Sequence, residues 1–422
     1  MIKVIKNGTV ITMNNNDNRI SKYDIVIKDN IIIDVCENYN GEYDELIDAK
    51  GKIVMPGLIN CHTHLGMSIF RATNDNLDLN SWLNNKIWPI ESKMTSDDVY
   101  HTTLLSTIEM IKTGTTMSND MYFHKEGALK AIKESKVRNM FPLYFIGEYK
   151  KEEFDELEKF YLSNKDNELL SFAVSPHSFY TCTKELMQNC KLLADKYDLP
   201  IHTHFCENES EVKTIETKYN MKPVEVLNDL GYLDNKLLLA HSTFISDSEL
   251  ELLKDKKVSL IHNPVSNLNL GCGIADIVKY LKHNLNICLG TDGVGSGNNM
   301  NLFYHMSFVD FLQKGKYQNP EIFESYETLK MATINGAKAL GLEDKIGSIE
   351  VGKYADIIIL DISNIETYPA LDLIVEVVHN IESRNIDTTI INGEVLMQNH
   401  KIKHIDEEFL KGKIDEIIER IG

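Results

Sequence analysis

Cysteine is sparse, 7 in 422 residues, scattered singly from Cys36 to Cys288 with no Cys-x-x-Cys. An odd, scattered set gives neither a disulfide framework nor a thiolate zinc knuckle. Cys61 and Cys206, although beside candidate ligands, therefore read as buried free thiols. Basic residues are also short: 44 Lys and Arg face 63 Asp and Glu, a formal charge of -19. Nucleic acid and anionic membrane select basic faces, so neither is expected as the main partner, and a small neutral or cationic substrate is. No apolar run approaches the ~18 to 20 residues of a membrane span. The start, Met1 to Gly8, lacks the apolar core of a secretory signal, and a cytoplasmic location is expected.

What is present is ordinary for a globular chain, with 43% hydrophobic and 25% charged residues, so nothing reads as disorder. Single cores stop growing at about 250 to 300 residues, which leaves room for one large and one smaller domain. Residues 1 to about 52 are β-branched runs, among them Val4-Ile5, Thr9 to Thr12, Asp24 to Lys28 and Ile31 to Val35, broken by Asn-Gly, Asp-Asn and an Asn-rich turn at Asn14 to Asn18. The same texture returns at Ala355 to Leu360 and Asp387 to Met397. Neither block buries enough surface alone, so the two ends are expected to pair into one small β-sandwich domain, 1–55 with 343–404, followed by a C-terminal helix over 405–422.

From Pro56 to Leu342 short apolar strands alternate with amphipathic stretches such as Asp97 to Thr113, Lys184 to Tyr197 and Ser246 to Lys254. Repeated β/α units over 56–342 predict a closed (β/α)8 barrel of TIM type, an α/β fold. A doubly wound sheet is the alternative, but no Gly-x-Gly-x-x-Gly follows the first strand.

The most informative stretch is Met55-Pro56-Gly57-Leu58-Ile59-Asn60-Cys61-His62-Thr63-His64. Positions two apart on a strand share a face, so His62 and His64 can bind one ion. On its own a His-x-His pair among 14 histidines is weak. The company it keeps strengthens it: His177, His204, His241 and Asp292 also fall at or just past the ends of apparent strands, and in a barrel those ends share the face where active sites are built. His204 can be a third ligand and Asp292 a fourth, although an Asp before Gly is by itself a turn signal. His202 lies one layer deeper and reads as a packed histidine behind the ligands.

Three histidines and one aspartate suit zinc, which lowers the pKa of water to near neutrality. Asp292 can take the water's proton and His241 can orient the water. Glu207, just beyond His204, is placed to protonate a substrate nitrogen, as the non-ligand glutamate of zinc deaminases does. The predicted reaction is hydrolytic loss of ammonia from an aromatic amidine carbon.

Together with Trp88-Pro89-Ile90-Glu91, Ser175-Pro176-His177, His202-Thr203-His204-x-x-Glu207, His262-Asn263-Pro264-Val265-Ser266-Asn267, Leu289-Gly290-Thr291-Asp292-Gly293 and Ile346 to Asp356, the opening motif resembles the amidohydrolase superfamily. Within it the chain looks most like the 5'-methylthioadenosine/S-adenosylhomocysteine deaminase family. The resemblance implies one Zn2+ per subunit held by His62, His64, His204 and Asp292, with Glu207 and His241 as acid/base partners. It also implies Glu91 on the ribose hydroxyls and His177 on the sugar or 5' substituent, with Glu207 and Asp292 completing the substrate contacts. A carboxylate can accept from two vicinal hydroxyls at once, which gives Glu91 a chemical rationale, and Trp88 is a candidate wall for the base.

Three departures fall on expected substrate loops. Homocysteine-binding members are expected to use arginines in and after Lys136-Val137-Arg138, yet Arg138 has no companion between Asn139 and Ser175. Gly297 and Asn301 stand where Asn and Asp are usual, and Asn269 replaces a usual Lys. The expected substrate is thus 5'-methylthioadenosine, S-adenosylhomocysteine, 5'-deoxyadenosine or adenosine, with no nucleic-acid or membrane partner and self-association as a homo-oligomer left open. Alternatives are a pterin, guanine, cytosine or aminotriazine hydrolase of the same superfamily, and a non-catalytic ligand-binding barrel.

Overall fold

The structure, a computed structural model, describes residues 1–14, 20–73 and 76–421. Beyond Asn14 the Asn-rich turn lies outside the described residues. Eight parallel strands form the central sheet in chain order: β1 (Leu58–Thr63), β2 (Thr115–Asp120), β3 (Arg138–Phe145), β4 (Leu170–Pro176), β5 (Ile201–Phe205), β6 (Leu237–His241), β7 (Val258–His262) and β8 (Asn286–Leu289). The ring closes where Thr291 and Asp292 donate their backbone N–H groups to the His62 carbonyl at 3.2 and 3.0 Å. Here the structure corrects the strand expected to run through Asp292: β8 stops at Leu289 and the chain turns inward. Gly290 permits that approach, since a Cβ there would lie 2.4 Å from Asn263 Oδ1 and 2.9 Å from the His62 carbonyl oxygen. The expected barrel is borne out, and helices such as Ser96–Lys112, Lys184–Tyr197 and Asp247–Leu253 fall within a residue or two of where periodicity put them.

The chain ends do meet. Lys52–Pro56 pairs antiparallel with Ile357–Asp361 inside a seven-stranded sheet, and a four-stranded sheet of Ile31–Cys36, Asp24–Lys28, Ile2–Lys6 and Glu45–Asp48 packs over it. Ile5, Val10, Ile25, Ile27, Val54, Ile357 and Ile390 share the core between them. The Asn392-Gly393 turn, both residues at positive φ, joins two of the late strands as that dipeptide predicts. The last helix, Glu407–Ile421, lays Leu410 against Leu104 and Ile108 of Ser96–Lys112.

Arg138 is not placed to meet a substrate carboxylate. It is the first residue of β3 and so lies at the N-terminal end of the barrel, opposite the strand ends that carry the histidines. Its guanidinium is buried, with Nε 2.7 Å from Asp356 Oδ2, one Nη on the Glu168 carbonyl and the other on Asn392 Oδ1. Tyr354 covers its face at 4.2 Å. Arg138 therefore locks barrel to β domain and cannot clamp a substrate carboxylate. Breaking a buried pair from one side strands the other charge and costs about 3 to 5 kcal/mol. Arg138→Met is expected to lower the melting temperature by several degrees in calorimetry while kcat/KM per folded site stays at the wild-type value.

Candidate active site

The site grows from the C-terminal ends of β1, β5 and β6 and from the turn after β8. His62 is fully buried, and its Nδ1 lies 2.9 Å from His202 Nε2, the deeper histidine expected behind the ligands. The His204 Nδ1 lies 2.8 Å from the His177 carbonyl oxygen, and the His64 Nδ1 hydrogen-bonds the Met121 carbonyl. With each Nδ1 engaged on an outer partner, the Nε2 atoms turn to one centre, the usual way a protein fixes the tautomer of metal-binding imidazoles. His64 Nε2 stands 3.2 Å from His204 Nε2 and 3.1 Å from Asp292 Oδ1, and His62 Nε2 stands 3.4 Å from the same oxygen. His62 Nε2 is buried without a hydrogen-bond partner. One ligand atom each from His62, His204, His241 and Asp292 falls within 4.8 Å of the others. Five donors thus converge, one more than a tetrahedral zinc site needs, and this donor set fits a divalent cation.

Asp292 is held by more than the sequence suggested. Its backbone sits at φ 61, a left-handed conformation costly for a residue with a Cβ and typical of functional sites. Ser266 and Ser296 donate to its Oδ2 at 2.6 and 2.8 Å, leaving Oδ1 to face the histidines. His241, also at positive φ, lies with Nδ1 2.8 Å from Asn267 Oδ1 and 3.9 Å from Glu207 Oε1. Glu207 is buried; burial pushes its carboxyl pKa up, with His241 opposing, and the thiol of Cys272 lies 3.7 Å from its Oε1. A carboxyl kept protonated toward neutrality can deliver a proton.

A cleft opens onto this centre. Glu91, His177, Glu207, His241 and Asp292 all line it, as does Trp88. Glu91 accepts from the Tyr122 hydroxyl at 2.8 Å; burial raises its pKa and that hydrogen bond opposes the rise. The His177 Nδ1 lies 2.9 Å from Thr181 Oγ1, and burial lowers its pKa to about 3, so it meets a ligand as a neutral imidazole. The outer wall comes from three successive helical turns, Leu79–Trp82, Leu83–Ile87 and Trp88–Glu91, which weak local periodicity concealed.

Every predicted site residue lines this cleft or belongs to the donors beneath it. Of the departures, Gly297 backs onto the Thr291 carbonyl and Asn301 caps the helix Leu302–Tyr317, so neither lines the cleft, a correction to the loops expected to face substrate. Asn269 touches the site indirectly, donating to the Ser296 carbonyl at 2.9 Å. Asp120, at the end of β2, escaped sequence reading although it obeys the strand-end rule; its Oδ1 accepts from the backbone N–H of Leu65, and burial raises its pKa to about 6. Ser266, Ser296, Cys272 and Tyr122 carry no distinguishing sequence signal.

Glu211 supports Glu207 by accepting its backbone N–H at 2.7 Å. Burial raises the Glu211 pKa to about 7. Because the folded state holds this proton more tightly than the unfolded chain, its stabilisation is complete below the unfolded value and is lost as pH rises toward 7. The loss is on the order of 2 to 3 kcal/mol. Calorimetry on Glu211→Gln is expected to show a smaller drop in melting temperature between acidic and mildly alkaline buffer than the parent shows.

A parallel β/α barrel with converging imidazoles and a carboxylate at its C-terminal face is the architecture of a metal-dependent hydrolase. The amidohydrolase family model matches residues 53–396, and the chain belongs to that family. It is 40% identical over 407 residues to the 5'-deoxyadenosine deaminase of Methanocaldococcus jannaschii, covering 94% of this chain and 96% of the relative. It is 39% identical over 412 residues to the 5-methylthioadenosine/S-adenosylhomocysteine deaminase of Thermoanaerobacter pseudethanolicus, covering 96% of each. Among solved structures, a zinc-bound adenosine deaminase from Xanthomonas campestris superposes with a TM-score of 0.95 at 27% identity, covering 99% of this chain and 98% of the other.

Proposed function

We propose that the protein is a zinc-dependent hydrolytic deaminase that converts an adenosine-type nucleoside to its inosine analogue and ammonia. The observation that carries this reading is the placement of buried Glu207 beside the converging donors in a cleft that also holds Glu91. Full-length similarity to relatives named for 5'-deoxyadenosine and 5'-methylthioadenosine deamination supports it. His62, His64, His204 and Asp292 would hold one ion per chain, and no lysine stands in β4 to bridge a second. Bound there, zinc supplies Lewis-acid activation of water at neutral pH.

The chain's own groups handle the protons. Asp292 accepts the proton of the attacking water, and His241, fixed by Asn267, orients that water toward the amidine carbon. Glu207 gives its proton to the ring nitrogen and, once reprotonated, serves the departing amine, so ammonia leaves neutral. Glu91 accepts from the ribose hydroxyls while Tyr122 holds it in place.

Ultraviolet assay of the zinc-loaded protein with 5'-deoxyadenosine, 5'-methylthioadenosine and adenosine tests the reading through the spectral change from adenine to hypoxanthine; no change with any of them overturns it. Glu91→Gln is expected to reduce kcat/KM on these nucleosides by about 10- to 100-fold, the worth of hydrogen bonds to a charged group. A pterin, guanine, cytosine or triazine hydrolase would give no such fall with its own substrate, which lacks the sugar.

A further inference from the structure

The cleft is one-sided in charge. Its ionisable lining consists of histidines, tyrosines and the carboxyl groups Glu91, Glu207 and Asp292, and no lysine or arginine is among the described lining residues. The wall between metal centre and solvent is apolar: Trp82, Leu83, Ile87 and Trp88 on one side, Phe123 and Ile146 on the other. Trp88 is 39% and Ile146 40% exposed, which puts both at the mouth of the cleft. The adjoining cleft, which shares Tyr122, Phe123 and Tyr144, offers no free cation either. Its Lys125 is already paired with Glu126, at 3.1 Å, and with Glu156, and Glu153 adds another carboxyl. Arg138, the one arginine the sequence offered for a carboxylate, is spent on Asp356 at the far end of the barrel.

We propose that this site, read as a nucleoside deaminase, selects adenine nucleosides whose 5' carbon bears hydrogen or a short uncharged group such as alkylthio, and discriminates by charge against a 5' tail ending in an amino-acid carboxylate. An uncharged tail gains by covering the apolar wall, at roughly 25 cal/mol per Å² buried. The carboxylate of such a tail loses water, meets acidic neighbours and finds no basic side chain among the described lining residues, only the tail's own ammonium, a penalty that specificity by unpaired charge exploits. The discrimination belongs to tertiary placement, since no lysine or arginine stands among the described lining residues of a chain that carries 44.

The test compares kcat/KM of the zinc-loaded full-length protein on 5'-deoxyadenosine, 5'-methylthioadenosine, 5'-butylthioadenosine and S-adenosylhomocysteine. The butylthio compound matches the reach of the homocysteine tail without its charges. The three uncharged substrates are expected to agree within about tenfold and to exceed S-adenosylhomocysteine by at least about 100-fold. S-adenosylhomocysteine turning over as well as the others would overturn the proposal and leave the deaminase reading intact. Equal failure of the butylthio compound would overturn it too, by showing that length excludes the tail. Inactivity toward all four would remove the nucleoside reading itself. As a second measurement, Ile146→Arg is expected to narrow the ratio between butylthio and homocysteine substrates by about tenfold or more, the worth of one charged hydrogen bond; an unchanged ratio in a folded, active variant counts against the proposal.

Discussion

Glu207→Gln is expected to lower kcat by about a thousandfold, within the range for loss of a general acid, while zinc content and KM change little. Glutamine keeps the volume and can still occupy the space between His241 and Cys272, but it has no proton to give. The burial that raises the Glu207 pKa works in the same direction: the carboxyl stays protonated further toward neutrality, and kcat/KM should fall as pH climbs through that raised value. In Glu207→Gln the residual rate should lose this limb of the profile. Metal analysis by atomic emission, run beside the kinetics, separates a chemical defect from a binding one. A variant retaining near-parental kcat would show that another group supplies the proton.

Asp292→Ala should do more damage, on the order of 10⁴-fold in kcat, as removal of a central catalytic carboxylate does elsewhere, and it should also lower metal retention after dialysis to a small fraction of the parental content. Two things go at once. The oxygen that faces His62 and His64 disappears, so the imidazole nitrogens gathered around one point lose the carboxylate in direct contact with them. The hydroxyls of Ser266 and Ser296, both buried, lose their acceptor as well. Asp292→Asn can set its amide oxygen where both serines donate but restores no charge, so it should regain stability more than activity. Parental metal content in Asp292→Ala would place the ion on histidines alone, with His241 among them.

Much of this was open to a reader of the chain. Barrel strands could be found because apolar runs of four to six residues end in polar side chains that a core does not want, and because the Pro56-Gly57 break marks where the first begins. His62, His64, His204 and Asp292 were legible for the same reason: a histidine closing an apolar run has to be explained. Within 79–91 only Trp88 and Glu91 were legible, since the three short helical turns there carry no sustained period, yet the segment also supplies Trp82, Leu83 and Ile87 to the cleft. Nor could sequence say which serine, among many, would reach a carboxylate.

Arg138 marks the boundary between the two kinds of information. Local sequence places it at the start of a strand, and likeness to relatives suggested a substrate carboxylate as its partner. Only the fold reveals that this end of the strand faces the β domain, where Asp356, more than 200 positions along the chain, takes the guanidinium. Local rules act over a few residues, through strand alternation and helix periodicity, so the sequence by itself determined the elements, their order and the donors at their ends. Closure of the ring, which hangs Asp292 on the His62 carbonyl, the serine clamp, and a described cleft lining without lysine or arginine were decided by tertiary structure, because each depends on which distant segments are brought within a hydrogen bond's length of one another.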